Sequence, residues 1–299
     1  MSSLWTVLSL LNWAAPYLAK YGISSPRLDA ELLLARVLAC PRLDLYLRFD
    51  QPLAASELAS FKELILERRR GVPVAYLLGE KEFWSLPFKV SPAVLVPRPE
   101  TEHLVEEAIT FLENTFPHGC GVLDLGTGCG NIILALARHF SQVSGFSWCG
   151  VDLRPAALEI ACINARQLGL PNVSWLQSDL FAEIGSESSV FGLIVANPPY
   201  IVSAEMAGLP SEVRHEPAAA LDGGVDGLDF YRRISVAARR FMLPGAGLMF
   251  EVGDGQAEAV KNILASCGYS AISTRMDLAC RERVVRGLFE PRRESQSGA

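Results

Sequence analysis

The chain has 299 residues, half of them apolar, which is enough for one large or two ordinary domains with a substantial buried core. Its formal net charge of −6 argues against non-specific nucleic-acid binding, which needs an excess of Lys and Arg. The seven cysteines form no CxxC pair and the four histidines show no ligand spacing, so we expect free thiols and no metal site. No apolar run reaches the roughly 18 residues of a membrane span, and no cation precedes Lys20, so we expect a cytoplasmic protein without a signal peptide.

Residues 1–80 carry the apolar periodicity of helices. Apolar side chains recur at helical spacing over Leu4–Leu18, and Ser25-Pro26 is typical of a helix start. A third helix is predicted over Ser56–Gly71. We interpret the basic run Arg68–Arg70 as solvated cations at its C-terminus, with a contact to RNA or to an acidic patch as the alternative. The segment is therefore predicted to be a small helical bundle.

Residues 81–98 change to aromatic and β-branched side chains. The segments 83–90 and 93–96 are separated by Ser91-Pro92, which predicts paired extended strands. We take the whole segment as a β-hairpin linker between two domains. A helix is then predicted to begin at Pro99, because the acidic residues that follow suit the positive end of the helix dipole.

From residue 121 on, short apolar strands alternate with helical segments. Strands are predicted at 122–125, 148–153, 173–177, 191–196 and 248–252, and helices at 132–140, 155–168, 227–243 and 256–267. The segments 270–275 and 283–289 are joined too tightly for a parallel crossover, so these two strands should be antiparallel. The pattern predicts an α/β domain at 99–290, with a mostly parallel sheet covered on both faces, and a disordered polar tail at 291–299.

A glycine-rich loop follows the first strand of this domain. The loop Gly126-Thr127-Gly128-Cys129-Gly130 lets the backbone approach a ligand at the carboxyl end of the sheet. The next strand ends at Asp152, where an acid can bind ribose hydroxyls, and the third ends at Asp179-Leu180, where an acid and an apolar side chain can contact adenine. The G-x-G-x-G spacing resembles the S-adenosylmethionine site of class I methyltransferases, which have a Rossmann-like seven-stranded sheet. The structural alternative is a tight turn without a ligand, with Asp152 as a helix cap.

The fourth strand leads into Asn197-Pro198-Pro199-Tyr200, the most specific short motif of the chain. Two prolines fix the backbone and remove two N–H donors, so carbonyl acceptors face outward without competing donors. Together with the side-chain carbonyl of Asn197 they can accept both hydrogens of a target NH₂ group, while Tyr200 offers a flat face for a planar amide or base. We expect Asn197, Pro198 and Tyr200 to be catalytic and Pro199 to bind substrate with them; a rigid proline turn is the alternative. Glu251 ends a later strand near this site, and its role stays open.

Longer segments resemble the family of protein-(glutamine-N5) methyltransferases that modify release factors, the HemK type. The resemblance is carried, besides the two loops, by Arg69–Gly79, Glu82–Pro87, Val96–Glu102, Val213–Pro217 and Gly223–Leu228. It covers nearly the whole chain, from residue 20 to residue 290. One departure is Leu180, where relatives often carry Trp; this position loses ring stacking on adenine but keeps an apolar contact.

The resemblance implies methyl transfer from S-adenosylmethionine to the side-chain nitrogen of the glutamine in the Gly-Gly-Gln loop of class I peptide chain release factors. It implies cofactor contacts at Gly126–Gly130, at Asp152 and at position 180, and substrate contacts at Asn197–Tyr200. The helical domain at 1–80 would recognise the protein substrate. A monomer suffices for this chemistry, and we expect no membrane partner and no stable nucleic-acid partner.

Other functions stay open from the residues alone. The Asn-Pro-Pro-Tyr turn suits a ribosomal-protein glutamine, or adenine in DNA or RNA, equally well in chemical terms. The acidic net charge counts against nucleic acid, and Pro97–Glu102 resembles the release-factor type. A binding module without catalysis and a nicotinamide-dependent dehydrogenase are two further alternatives, against which the intact Asn197 and the glycine spacing count.

Overall fold

The computed structural model describes residues 5–185 and 191–290. The polar tail predicted at 291–299 lies outside the described residues. In the part of the chain that is described, no helix is both long and apolar enough to cross a lipid bilayer.

The described residues fall into two compact units. One is formed by the chain up to Lys81 together with Leu209–His215, and the other by Glu82–Gly208 with the chain from Glu216 on. The first unit thus takes in a short segment that lies far along the chain and that the sequence analysis assigned to the second domain.

The first unit is a helical bundle. It contains α1 (Val7–Ala19), α2 (Pro26–Val37), α3 (Asp44–Leu47), α4 (Ala55–Arg69) and α5 (Val74–Leu78). A capping box begins α1, because the Ser9 N–H donates to Thr6 Oγ1 and the Thr6 N–H donates to Ser9 Oγ. Pro26 occupies the first turn of α2 as predicted, although the Ser25 side chain makes no capping bond. The apolar faces of these helices meet in a core that includes Leu11, Leu34, Phe61 and Ile65.

Arg68, near the end of α4, is buried rather than solvated. Its side chain is 2% exposed, and its Nε donates to Asp29 Oδ2 at 2.7 Å. The same guanidinium pairs with Glu212 and donates to the Val72 carbonyl at 3.2 Å. The prediction of solvated cations at 68–70 was therefore wrong for Arg68, because acidic groups brought from elsewhere in the chain surround it.

The second unit is an α/β domain that begins at Glu82, within the first strand. Its strands are β1 (Glu80–Phe83), β2 (Leu86–Lys89), β3 (Gly121–Leu125), β4 (Ser147–Asp152), β5 (Val173–Gln177), β6 (Phe191–Ala196), β7 (Met242–Glu251), β8 (Tyr269–Met276) and β9 (Glu282–Phe289). Its helices are α6 (Glu102–Thr115), α7 (Asn131–His139), α8 (Pro155–Gln167), α10 (Asp229–Ala238) and α11 (Ala257–Ser266), while the short α9 (Ser211–Arg214) belongs to the first unit.

Seven strands of the described residues form one sheet in the order β5-β4-β3-β6-β7-β9-β8. The strands from β5 to β7 are parallel, and β9 is antiparallel to both of its neighbours. The Asp277 side chain accepts the N–H groups of Ala279 and Arg281, so the chain reverses tightly between β8 and β9. This turn is too short for a parallel crossover, and the predicted mixed sheet with an antiparallel last strand is confirmed.

Helices cover both faces of the sheet. Leu123 of β3 and Ile194 of β6 join a core with Ile234 of α10 and Val260 of α11. Alternate side chains of these strands point to the opposite face, where α6 and α7 pack. All residues of β6 are buried, as expected for a central strand with both faces covered. The carboxyl ends of β3, β4, β5 and β6 therefore lie side by side at one end of the sheet.

The hairpin at the start of this unit turns earlier than predicted. The turn is made by Trp84 and Ser85, with φ of 54° and 55°, and not by Ser91-Pro92. Neither residue is a glycine or an asparagine, so the local sequence carries no turn signal. The Trp84 N–H donates to Glu102 Oε1 at 2.8 Å, which holds the turn from a distant helix. Residues 93–96 form no strand.

The boundary between α10 and β7 also differs from the prediction. The helix predicted at 227–243 ends at Ala238, and β7 begins at Met242 rather than at residue 248. Met242 pairs with Phe191, whose N–H donates to the Phe241 carbonyl at 2.7 Å. These apolar residues therefore form a strand paired with the central strand β6, although their periodicity is helical.

Candidate active site

A cavity of about 200 Å³ lies where β3, β4, β5 and β6 end. The predicted site residues that line it are Gly126, Gly128, Asp152, Asp179, Leu180, Asn197, Pro198 and Pro199. These residues come from four different strand ends, because the carboxyl ends of parallel strands meet at one edge of the sheet. The two predicted loops therefore share one cavity.

Thr127, Cys129, Gly130 and Tyr200 do not line this cavity. The Thr127 hydroxyl donates to Asp124 Oδ2 at 2.6 Å, and burial raises the pKa of the Cys129 thiol to about 12, which keeps it neutral. A Cβ at Gly130 would lie 3.1 Å from the Trp175 ring. The contacts of Thr127, Cys129 and Gly130 hold the glycine loop against α7 and the sheet.

The glycines that do line the cavity leave its surface open. Gly126 and Gly128 have φ of 71° and 56°, a conformation that strains other residues. No heavy atom lies within 4 Å of the place where a Cβ on Gly126 would be. A ligand can therefore reach the backbone of this loop directly.

Asp152 ends β4 and organises the turn around it. Its carboxylate accepts the Gly128 N–H at 3.0 Å and the Arg154 N–H at 2.9 Å. The first bond orders the glycine loop, and the second forms a turn ahead of α8, whose N-cap residue Arg154 has no side-chain capping bond. The alternative reading of Asp152 as a helix cap was therefore wrong, and its carboxylate lines the cavity.

Asp124 is a buried acid beneath the glycine loop that the sequence analysis did not select. Burial raises the pKa of its carboxyl to about 7, although the Thr127 hydroxyl and the Ile133 N–H act in the opposite direction. Its Oδ1 has no hydrogen-bond partner among the described residues. An acid inside an apolar strand, just before a glycine loop, is the signal that would have revealed it.

One wall of the cavity comes from α10. Phe230 and Arg233 line it beside Leu180, and Arg233 binds both carboxylate oxygens of Asp179, at 2.8 and 2.7 Å. The Arg233 guanidinium also lies 5.6 Å from the centre of the Phe230 ring. No local sequence signal assigns Phe230 and Arg233 to the site, because about fifty residues separate them from the strand end that they face.

The Asn-Pro-Pro-Tyr turn is held by partners from two other segments. Asn197 Nδ2 donates to Thr101 Oγ1 at 3.3 Å, and the Tyr200 carbonyl accepts from Gln256 Nε2 at 2.9 Å. A Cβ at Gly253 would lie 2.9 Å from the Tyr200 ring, so a glycine is needed there. Burial raises the pKa of Tyr200, which stays a neutral phenol.

The loop that follows this turn is anchored by Glu216. The carboxylate of this buried residue accepts the Val96 N–H at 3.0 Å and pairs with Arg98. Ala219 and Ala220 follow three and four residues further along the chain and line the cavity. Arg98 thus has a structural partner within the same unit.

Comparison with known proteins agrees with this geometry. Residues 9–79 match the family model of the PrmC N-terminal domain, and residues 117–273 match that of a methyltransferase domain. The chain is 42% identical to the release factor glutamine methyltransferase of Geobacter sulfurreducens, over 95% of this chain and 97% of that protein. It is 43% identical to the release factor glutamine methyltransferase of Vibrio cholerae, over 97% of this chain and 99% of that protein. The chain belongs to the release factor glutamine methyltransferase family.

Membership of the release factor glutamine methyltransferase family confirms the resemblance seen in the sequence. A methyltransferase from Pyrococcus furiosus is 16% identical, with a TM-score of 0.50, over 71% of this chain and 92% of that chain. That likeness concerns the fold alone, and it agrees with the predicted class I methyltransferase architecture.

Proposed function

We propose that this protein transfers a methyl group from S-adenosylmethionine to the N5 side-chain nitrogen of the glutamine in the Gly-Gly-Gln motif of class I peptide chain release factors, leaving S-adenosylhomocysteine. The observation that carries the proposal is the shared cavity, which the glycine loop and the Asn-Pro-Pro turn both line in a chain of this family. One chain suffices, because every lining residue belongs to one unit. We place the reaction in the cytoplasm, without a membrane or nucleic-acid partner.

The residues at one end of the cavity fit S-adenosylmethionine. When bound, this cofactor supplies an electrophilic methyl group on a positively charged sulfur. The open surface at Gly126 and Gly128 admits the backbone-contacting part of a ligand, and Asp152 accepts hydrogen bonds from hydroxyl groups. Leu180 and Phe230 supply apolar surface for a flat ring.

The residues at the other end fit a planar amide. An amide nitrogen is a weak nucleophile because its lone pair is delocalised into the carbonyl group. Asn197 Oδ1 and the backbone carbonyls of the proline turn accept its N–H groups, which aims the lone pair and stabilises the positive charge that develops on nitrogen. Holding two reactants in an attack geometry can lower the barrier by about 7–11 kcal/mol, so no strong base is required in the turn.

The test is mass spectrometry of a class I release factor after incubation with the protein and S-adenosylmethionine. We expect one added methyl group on the Gly-Gly-Gln glutamine, and none on a release factor in which that glutamine is alanine. Asn197→Ala should lower turnover about a hundredfold or more, with S-adenosylhomocysteine affinity almost unchanged. Methylation of ribosomal protein or DNA in parallel reactions, with none on the release factor, would move the substrate to one of the alternatives.

We propose further that the helical unit recognises the release factor as a protein. Its surface exposes Trp13, which stacks on Tyr17 at 5.1 Å, and Tyr21, which lies 5.2 Å from the Arg69 guanidinium. Such aromatic side chains beside a cation are enriched in protein interfaces. Trp13→Ala should raise KM for the intact release factor and leave KM for a short Gly-Gly-Gln peptide unchanged, whereas the exposed Val236→Ala should change neither.

A further inference from the structure

Glu251, at the end of β7, is a buried carboxylate, and no ion pair at contact distance with another residue that the structure describes offsets the free energy cost of burying it. Its side chain is 3% exposed, and its Oε2 has no hydrogen-bond partner in the described part of the chain. The Tyr231 hydroxyl donates to its backbone carbonyl at 3.0 Å, which fixes the strand end. Burying a carboxylate in this way costs stability that an apolar side chain would not cost. The polar groups around it suggest what this acid does.

The Thr101 hydroxyl and the Asn197 amide are those groups. Asn197 comes directly after Ala196, which pairs with Phe250 of β7, so it lies beside Glu251. Both Thr101 and Asn197 lower the pKa of Glu251, against the larger effect of burial. Thr101 is itself buried, and its Oγ1 accepts from Asn197 Nδ2 at 3.3 Å. Glu251, Thr101 and the inner side of Asn197 therefore form one polar cluster behind the cavity that Asn197 lines.

The orientation of the Asn197 amide decides whether it can serve the proposed reaction. One end of the amide only donates hydrogen bonds, and the other end only accepts them. A target NH₂ group needs the accepting end, so Nδ2 must turn to the inner side. An ionised carboxylate on that side enforces this, because it accepts from Nδ2 and repels Oδ1.

We propose that Glu251 is a positioning residue, which acts with Thr101 to hold Asn197 Nδ2 inward so that Asn197 Oδ1 accepts an N–H of the target nitrogen. The inference rests on the proposed function, since it assigns a role in the same methyl transfer. Glu251 touches neither substrate nor cofactor; it acts through Asn197. The group that orients the Asn197 amide is thus supplied by a strand about fifty residues further along the chain.

The positioning effect should depend on pH. Burial raises the pKa of Glu251 to about 7, with Thr101 and Arg283 opposing it and Glu100 adding to it. The other titratable groups near it, Tyr200 and Tyr231, are phenols whose pKa burial raises, so they stay neutral over this range. Below its pKa, Glu251 carries an O–H that can donate to Asn197 Oδ1 and favour the reversed amide. Turnover should therefore rise as pH increases through about 7.

The pKa of Asp124 is also raised to about 7, so its effect must be distinguished from that of Glu251 by measuring kcat and cofactor affinity separately. The Asp124 carboxyl lies under the glycine loop, so its ionisation should change the affinity for the cofactor. Ionisation of Glu251 should instead change kcat, measured at saturating cofactor and release factor. A step in the kcat profile that disappears in Glu251→Gln belongs to Glu251.

The experiment compares Glu251→Ala, Glu251→Gln and Thr101→Val with Ser235→Ala as the matched control. Ser235 is also buried, and its hydroxyl also has no partner among the residues that the structure describes. We expect Glu251→Ala and Thr101→Val to lower kcat about tenfold, the effect of one lost hydrogen bond in the transition state. Glu251→Gln should recover part of this loss but not the pH step. Release-factor KM and S-adenosylhomocysteine affinity should stay within about twofold, and Ser235→Ala should match the unsubstituted protein.

An NMR arm tests the same link without turnover. The side-chain NH₂ signal of Asn197, assigned by its loss in Asn197→Ala, should titrate at about pH 7 in the unsubstituted protein and not in Glu251→Gln. Unchanged kcat in Glu251→Ala, or an equal fall in cofactor affinity, would overturn the inference, as would an Asn197 signal that ignores Glu251. The unsubstituted protein could methylate no release factor while the Asn197 signal still titrates at about pH 7 and loses this titration in Glu251→Gln. That result would contradict the proposed substrate and support the positioning role.

Discussion

Replacing Arg68 by methionine should destabilise the helical unit by about 3–5 kcal/mol, the usual cost of removing one partner of a buried ion pair. Methionine keeps most of the volume of the arginine stem, so the loss reports charge and not a cavity. Arg68 is 2% exposed and Asp29 is 5% exposed, so both partners of this ion pair are buried. The Glu212 side chain is 37% exposed, so its share should be below about 1 kcal/mol. Most of the effect should therefore come from Asp29.

The loss should be smaller in acid. Burial raises the pKa of Asp29 above its ordinary value of 3.8 even though Arg68 acts to lower it. Without Arg68 the folded-state pKa rises further, so the folded variant binds a proton that the unfolded chain releases. Stability of Arg68→Met relative to the unsubstituted protein should then recover as pH falls through that raised pKa.

The measurement is hydrogen exchange of the amides in α2 and α4, which reports the free energy of opening of this unit alone. The double variant Asp29→Asn/Arg68→Met should regain about 1–3 kcal/mol, because a neutral amide replaces the stranded carboxylate. Arg70→Met, which removes an exposed ion pair with Glu67, should cost less than about 1 kcal/mol. A loss below about 1 kcal/mol in Arg68→Met, or no recovery in the double variant, would refute this reasoning.

Three further predictions concern the cavity. Asp152→Ala should weaken S-adenosylhomocysteine binding about tenfold or more, since the carboxylate orders Gly128 and can accept a hydroxyl; unchanged affinity in calorimetry would remove Asp152 from the cofactor site. Phe230→Ala should weaken the same binding about tenfold while Phe230→Tyr does not, if the ring lies against adenine beside Leu180. Gly130→Ala should lower stability in thermal unfolding by about 1–4 kcal/mol, because φ is 83° and the Cβ would lie 3.1 Å from Trp175; equal stability would contradict both the backbone strain and the close contact.

The fold class and most of the cavity could be predicted because their signals are local. Strand–helix alternation over a few residues determines that the strands are parallel and buried on both faces. The carboxyl ends of parallel strands must then meet, so Gly126, Asp152 and Asn197 could be placed together from separate short motifs. The turn at Trp84-Ser85 and the early start of β7 escaped prediction, because Glu102 and Phe191 impose them from elsewhere in the chain.

By itself, the sequence determined the helical and α/β segments, the glycine loop and the proline turn, whose backbone requirements lie within neighbouring residues. Only the tertiary structure decided that Arg68 is buried, that Phe230 forms a wall of the cavity and that Glu251 lies behind Asn197. In each case the residue type is also common at positions that are exposed to solvent or lie far from a functional site. Its environment depends on partners that are distant along the chain, and electrostatic and packing free energies depend on distance in space.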